Sequence, residues 1–305
     1  MAHSEALDRV IVMWKDSVPL HEEPTPQHWR AEFEALCAKF PLPDDLIEEE
    51  VDADGVPSLW VSAPGVSDDR VLLHFHSGGY VMGSPKGYRE FAYRLSRAAD
   101  ARVLVPDYRL APEYPYPAPV EDALKVYRWL AAQVDPARIV TTGDSAGGGL
   151  NLATLVALRD EGDTLPVAAV AISPLTDLAA EGESYASNRE RDPVVTKELA
   201  VGMGIVYLGE GRDPKDTPLG SPLYAEVHGL PPLFVIAGEA ETLRDDSVRF
   251  VEKVRSSGGQ AELVVTDDML HIFPLFASIL PEGRDAIEQI GAFIKQHSPQ
   301  PQPVA

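Results

Sequence analysis

Ile139-Val140-Thr141-Thr142-Gly143-Asp144-Ser145-Ala146-Gly147-Gly148-Gly149-Leu150 is the stretch on which the reading of this chain turns. Ile139–Thr142 is apolar and β-branched and reads as a buried parallel strand. Leu150-Asn151-Leu152-Ala153-Thr154-Leu155-Val156-Ala157-Leu158 reads as a buried helix. Between them, Gly143-x-Ser145-x-Gly147 has the form of a nucleophile elbow, a sharp strand-to-helix turn with serine at its apex. Residues without a Cβ let strand and helix approach closely there. The hydroxyl then stands at a helix N-terminus, where the dipole and free N–H groups favour developing negative charge. The pattern alone is weak: with glycine and serine each near 7% of residues, it arises by chance in roughly one of ten chains this long. A Gly-rich helix start or a phosphate-binding turn is the competing reading. The flanking strand and helix exclude most coincidences, and the search for partners decides.

At 305 residues, one large α/β domain with an accessory piece is expected. Apolar content of 45% and charged content of 24% are ordinary for a soluble enzyme. The formal charge of −22 argues against nucleic acid and against docking on anionic lipid. A single cysteine, Cys37, excludes an internal disulfide and a cysteine metal cluster, and its neighbours place it on a buried helix face. The N-terminus has no basic segment followed by an apolar core, and no apolar run approaches a membrane span, so a cytoplasmic protein with no membrane contact is expected.

Along the chain, Leu7, Val10, Ile11 and Trp14 recur at helical spacing, and Thr25-Pro26 caps a second helix carrying Trp29, Phe33, Leu36, Cys37 and Phe40. These two helices either pack on a core or form a lid. Strands at 46–53 and 56–63 meet at Asp54-Gly55, a hairpin signal. Further strands fall at 70–76, 101–108, 139–142, 167–172, 233–238 and 260–265, with helices between them at about 86–99, 120–133, 243–256 and 283–296. Such alternation predicts a mostly parallel sheet covered on both faces, with an antiparallel hairpin at its start. Ligands in such sheets bind beyond the carboxyl ends of the strands. The expected organisation is N-terminal helices over 1–45, a core over 46–175 and 219–298, an insertion over 176–218 that breaks the rhythm, and a disordered Pro/Gln-rich tail over 299–305.

A serine hydroxyl needs a base, normally histidine, whose pKa lies near working pH. His3, His21, His28 and His297 lie in terminal segments, His228 in a surface-like stretch, His74 inside a strand, and His76 at a glycine turn. His271 follows the last strand in a loop at the carboxyl edge, where the third member of the order serine, acid, histidine belongs. The acid should follow the preceding strand: Glu241 lies in that loop, with Asp245 next, although Asp245 and Asp246 also suit a helix's first turn. An oxyanion hole requires N–H donors, and Ala146, Gly78 and Gly79 are best placed. His74-Phe75-His76 has the spacing of a metal pair, but no third ligand cluster accompanies it, so no metal is expected.

Together these residues resemble the bacterial hormone-sensitive-lipase-like esterases of the α/β-hydrolase superfamily. The matching stretches are His76-Ser77-Gly78-Gly79-Tyr80, Asp107-Tyr108-Arg109-Leu110-Ala111-Pro112-Glu113, Gly143-Asp144-Ser145-Ala146-Gly147, Ser221-Pro222-Leu223 and Glu241-Thr242-Leu243-Arg244-Asp245-Asp246, with His271 completing the set. They run in family order over about residues 70–275. Two departures stand out: Ser77 replaces a usual glycine, and Glu241 replaces the usual aspartate. The resemblance implies an α/β-hydrolase fold with a helical cap built from the N-terminal helices and the 176–218 insertion, often a homodimer, and no cofactor. It also implies a Ser145–His271–Glu241 triad acting on short- to medium-chain acyl esters through an acyl-enzyme. The Asp107–Glu113 stretch would brace the site, while Tyr80, Trp14, Met203 and Tyr207 would contact substrate; core packing is the plainer reading of those cap residues. A lactone hydrolase uses the same constellation. A ligand-binding receptor on the same fold is more distant, since such receptors typically lose the histidine that here is His271.

Overall fold

Short apolar strands, buried on both faces in the middle of the sheet, set the architecture. In a computed structural model the chain is described over residues 4–20 and 24–298, so His3, His21 and the segment 299–305 lie outside the described residues. Eight strands form one sheet: β1 (Ile47–Asp52), β2 (Pro57–Ser62), β3 (Val71–Phe75), β4 (Arg102–Pro106), β5 (Ile139–Asp144), β6 (Ala168–Ile172), β7 (Leu233–Gly238) and β8 (Ala261–Thr266). Their order is β1-β2-β4-β3-β5-β6-β7-β8. β1 and β2 form an antiparallel hairpin, β2 runs antiparallel to β4, and every later pairing is parallel. The hairpin turns at Asp54-Gly55, where Asp52 Oδ1 accepts the Gly55 N–H at 2.7 Å.

The helices are α1 (Glu5–Asp16), α2 (Pro26–Cys37), α3 (Arg89–Ala99), α4 (Ala118–Ala131), α5 (Ala146–Glu161), α6 (Ser184–Ser187), α7 (Lys197–Leu208), α8 (Arg244–Ser256) and α9 (Pro281–His297). Ser4, Thr25 and Thr196 cap α1, α2 and α7 by accepting an N–H from the first turn. Strand residues alternate between two apolar layers, as the pleat requires. Leu72, Val103 and Val170 join Phe91 and Leu95 of α3 and Ile290 and Ile294 of α9. Leu73 and Leu104 instead meet Val126 and Leu130 of α4 and Leu150 of α5. Each such fully buried side chain contributes about 1.5–3 kcal/mol. Leu7, Val10, Trp14, Phe33 and Leu36 of α1 and α2 join the first layer, and Trp14 meets Phe276 edge-on at 5.3 Å. Residues 176–218, carrying α6 and α7, leave the sheet between β6 and β7. Among the described residues no helix is long and apolar enough to cross a membrane.

Candidate active site

Ser145 stands between β5 and α5, with φ 52 and ψ −120, a strained conformation that the surrounding packing must hold. Its N–H donates to Ile172 O at 2.9 Å, and its carbonyl accepts from Gly149 and Leu175. The elbow lies directly against the end of β3. A Cβ on Gly147 would stand 2.0 Å from Phe75 O and 2.4 Å from His76 O, so only glycine permits this approach.

His271 occupies the loop after β8, with Asp268 and Ile272 in left-handed backbone on either side. Its Nε2 is 2.9 Å from Ser145 Oγ, and its Nδ1 is 3.1 Å from Glu241 Oε2. Glu241, fully buried just past β7, is held through its own carbonyl, which accepts from Asn188 Nδ2 at 2.8 Å. Asp192 accepts the N–H of Thr242 next door. Asp245, the other carboxylate considered, turns elsewhere: it accepts the Ser184 N–H at 2.9 Å and pairs with Arg244 at 3.0 Å. Burial pushes the His271 pKa down, but the hydrogen bond and charge of Glu241, helped by Asp192 and Asp144, carry it above its ordinary value. Burial raises Glu241, with His271 pulling back.

Beyond β3 the chain turns through three consecutive left-handed residues, Gly78 (φ 124), Gly79 (φ 61) and Tyr80 (φ 63). A Cβ on Gly78 would sit 2.1 Å from Met82 O. The Ser77 N–H is taken by the Tyr88 hydroxyl at 3.1 Å. The N–H groups of Gly78, Gly79 and Ala146 make no hydrogen bond among the described residues. His76 stays neutral, pushed down to about 4 by burial; its Nδ1–H donates to Ser77 O and its ring stacks on Tyr108 at 4.3 Å. His74 faces Thr142 and Asp144 instead of sharing a ligand with His76. The Asp107–Glu113 stretch is tied down by Arg109 on Asp122, Tyr108 on His76 O, and Glu113 on Arg30 of α2.

An apolar cavity of about 70 Å³ opens over Ser145, His271, Gly78 and Gly79. Trp14 and Met203 line it. Tyr80 and Tyr207 do not line it. Left-handed backbone at Tyr80 sends its ring against Gly149 of α5, where it stacks on Tyr207 at 3.7 Å and 4°. Both rings are buried packing. Trp29, Phe33, Val194, Leu199 and Ser77 also line the cavity, and the sequence reading missed them. Trp29 and Phe33 stand four residues apart on one helical face, the only signal available, and that spacing reads equally as core.

A strained serine, a histidine and a carboxylate bonded in series beside free backbone N–H groups, at the carboxyl end of a parallel sheet, define a serine hydrolase of the α/β type. Residues 72–275 match the family described by its alpha/beta hydrolase fold. An acetyl-hydrolase of Streptomyces hygroscopicus is 42% identical over 237 residues, covering 77% of this chain and 78% of its own. An esterase of Acinetobacter venetianus is 32% identical over 270 residues, 88% of each chain. The crystal structure of an esterase from the bacterial hormone-sensitive lipase family superposes with a TM-score of 0.94 at 47% identity, covering 97% of this chain and 99% of that one. The chain belongs to the α/β-hydrolase family, among the carboxylesterases of its bacterial hormone-sensitive-lipase branch.

Proposed function

We propose that this chain hydrolyses small acyl esters by two-step acyl transfer at Ser145. The observation that carries the reading is the unbroken contact from Ser145 Oγ to His271 Nε2 at 2.9 Å and from His271 Nδ1 to Glu241 at 3.1 Å. His271 takes the serine proton as Oγ attacks the ester carbonyl, and Glu241 fixes the tautomer and stabilises the imidazolium. The N–H groups of Gly78, Gly79 and Ala146 receive the oxyanion. His271 then protonates the leaving alcohol, and water repeats the sequence on the acyl-enzyme, returning the acid and free Ser145. The helices of residues 1–45 and the 176–218 insertion act as the cap, supplying Trp14 and Met203 to the acyl side of the cavity. A cavity of about 70 Å³ favours a short acyl group. The relatives' names, acetyl-hydrolase and esterase, favour an open-chain ester over a lactone. A homodimer belongs to the same reading, since among the described residues the outer edge of β8 has no strand partner.

Ser145→Ala is expected to lower kcat on p-nitrophenyl acetate by about 10⁶-fold. It should also abolish labelling by a fluorophosphonate. Near-normal turnover in that variant overturns the scheme.

A further inference from the structure

A second buried polar chain runs behind the site. Asp144 immediately precedes the nucleophile and is 1% exposed. Its Oδ2 accepts the Tyr88 hydroxyl at 2.6 Å. The same phenolic oxygen is 2.5 Å from Ser77 Oγ and accepts the Ser77 N–H at 3.1 Å. A phenol has one proton. With that proton committed to Asp144, both Ser77 groups donate to the Tyr88 oxygen. The ring is clamped as well: fully buried, it stacks on His74 at 5.5 Å and meets Phe91 edge-on at 5.9 Å. His74 flanks the far carboxylate oxygen of Asp144 at 3.2 Å.

The placement of this chain gives it a task. β3 and β5 are paired only as far as Phe75 and Gly143. Beyond that pair the β3–β5 ladder ends, with Asp144 pairing to Ile172 of β6 instead, and the donors assigned to the oxyanion lie one and two residues past Ser77 on one side and two past Asp144 on the other. We propose that Tyr88 is a positioning residue that joins these two segments and sets the gap between the Gly78–Gly79 and Ala146 N–H groups. Ser77 Oγ adds the second of the two links to Tyr88. By taking the Ser77 N–H, Tyr88 also leaves the donor set to the three groups that follow. This inference rests on the assignment of Ser145 as nucleophile and of those N–H groups as oxyanion donors.

Tyr88→Phe keeps the ring and removes the bridging oxygen; Ser77→Ala removes one link and leaves the N–H link. Both are compared with wild type on p-nitrophenyl acetate. Inhibition by an alkyl trifluoromethyl ketone, which adds to serine as a tetrahedral oxyanion, is measured beside binding of the matching unreactive alkyl alcohol. Tyr88→Phe is expected to lower kcat by about 10- to 100-fold, the scale of a misplaced catalytic group, with KM near wild type. Ketone affinity should fall by a similar factor while alcohol binding holds. Ser77→Ala should show the same pattern, less severely. A folded Tyr88→Phe with wild-type kcat, or with lowered kcat and unchanged ketone affinity, overturns the proposal. If Tyr88→Phe does not fold, Ser77→Ala decides: parallel losses in kcat and ketone affinity support the brace, and wild-type values for both refute it. A wild-type protein that neither turns over the ester nor binds the ketone refutes the Ser145 assignment instead, which separates the two failures.

Discussion

Replacing Glu241 by glutamine keeps the size of the side chain and removes its charge. Oε2 of Glu241 and Nδ1 of His271 are 3.1 Å apart, and the two residues are 0% and 4% exposed. At that distance, with an effective dielectric of about 20, a pair of unit charges interacts by roughly 5 kcal/mol. That attraction acts on the imidazolium formed in the transition state, so its loss should lower kcat/KM by roughly 10⁴-fold, at about 1.4 kcal/mol per tenfold. The fold should survive, because a neutral amide is cheaper to bury than a carboxylate. The pH profile gives an independent check. In the wild type, Glu241 outweighs burial and holds the imidazole above its ordinary value. Activity therefore rises with pH through that raised pKa, since only neutral imidazole accepts the serine proton. Without the carboxylate, burial is left as the main influence, and the rising limb of the residual activity should move to lower pH. The assay is kcat/KM for p-nitrophenyl butyrate across the weakly acid to weakly alkaline range, with folding checked by circular dichroism. A folded Glu241→Gln enzyme within about tenfold of wild type, or one whose limb stays in place, refutes the reasoning.

Two stability predictions follow from the elements around the site. Asp246 is buried at the start of α8, where its Oδ2 accepts the N–H groups of Thr176 and Asp177, each at 2.8 Å. Burial first, then the charge of Asp177, pushes its pKa from 3.8 up to about 8. The folded chain keeps a proton that the unfolded chain has released between those values, so this group costs stability as pH rises, by up to about 1.4 kcal/mol per unit. Asp246→Asn should flatten the fall in urea midpoint over that window; an unchanged slope would show that another group is responsible. Gly147→Ala places a methyl 2.0 Å from Phe75 O, a backbone atom at the end of β3. Thermal unfolding should show a loss of about 3 kcal/mol or more, and esterase activity should collapse with it, because relief of the clash opens the elbow.

The sheet was legible because its central strands are short apolar runs, and because alternation with helices leaves few topologies. Ser145 stood out because motif and strand end coincide there, and His271 because it follows the last strand in the order serine, acid, histidine. The acid was harder: Glu241, Asp245 and Asp246 lie within six positions, and only coordinates separate the carboxylate that meets His271 from the two that bind backbone N–H groups of Ser184, Thr176 and Asp177. The cavity wall was largely illegible. Trp29, Phe33 and Leu199 sit at helical spacing, and whether such a face lines a void or fills a core depends on how α2 and α7 lie over the sheet. The place of the Tyr80 ring depends on local backbone. It stands beside Gly78 and Gly79, but its left-handed backbone sends the ring away from the cavity and onto Tyr207.

The 176–218 segment does more than supply cavity-lining side chains such as Met203 and Leu199. Asn188 donates to the carbonyls of both Glu239 and Glu241, Asp192 accepts from Thr242 N, and Ser184 Oγ donates to Thr242 O at 2.5 Å. Arg191 adds a paired contact to Glu239 on the outer side. The loop that presents Glu241 is therefore fastened chiefly by the insertion, through groups that are themselves mostly buried and hydrogen-bonded. Glutamate has one more rotatable bond than aspartate, so it needs its backbone fixed more firmly to hold one carboxylate oxygen on Nδ1. The 176–218 segment supplies that fixation through Ser184, Asn188 and Asp192. A change in this segment thus acts on two levels at once, on the shape of the cavity and on the placement of the charge that supports His271.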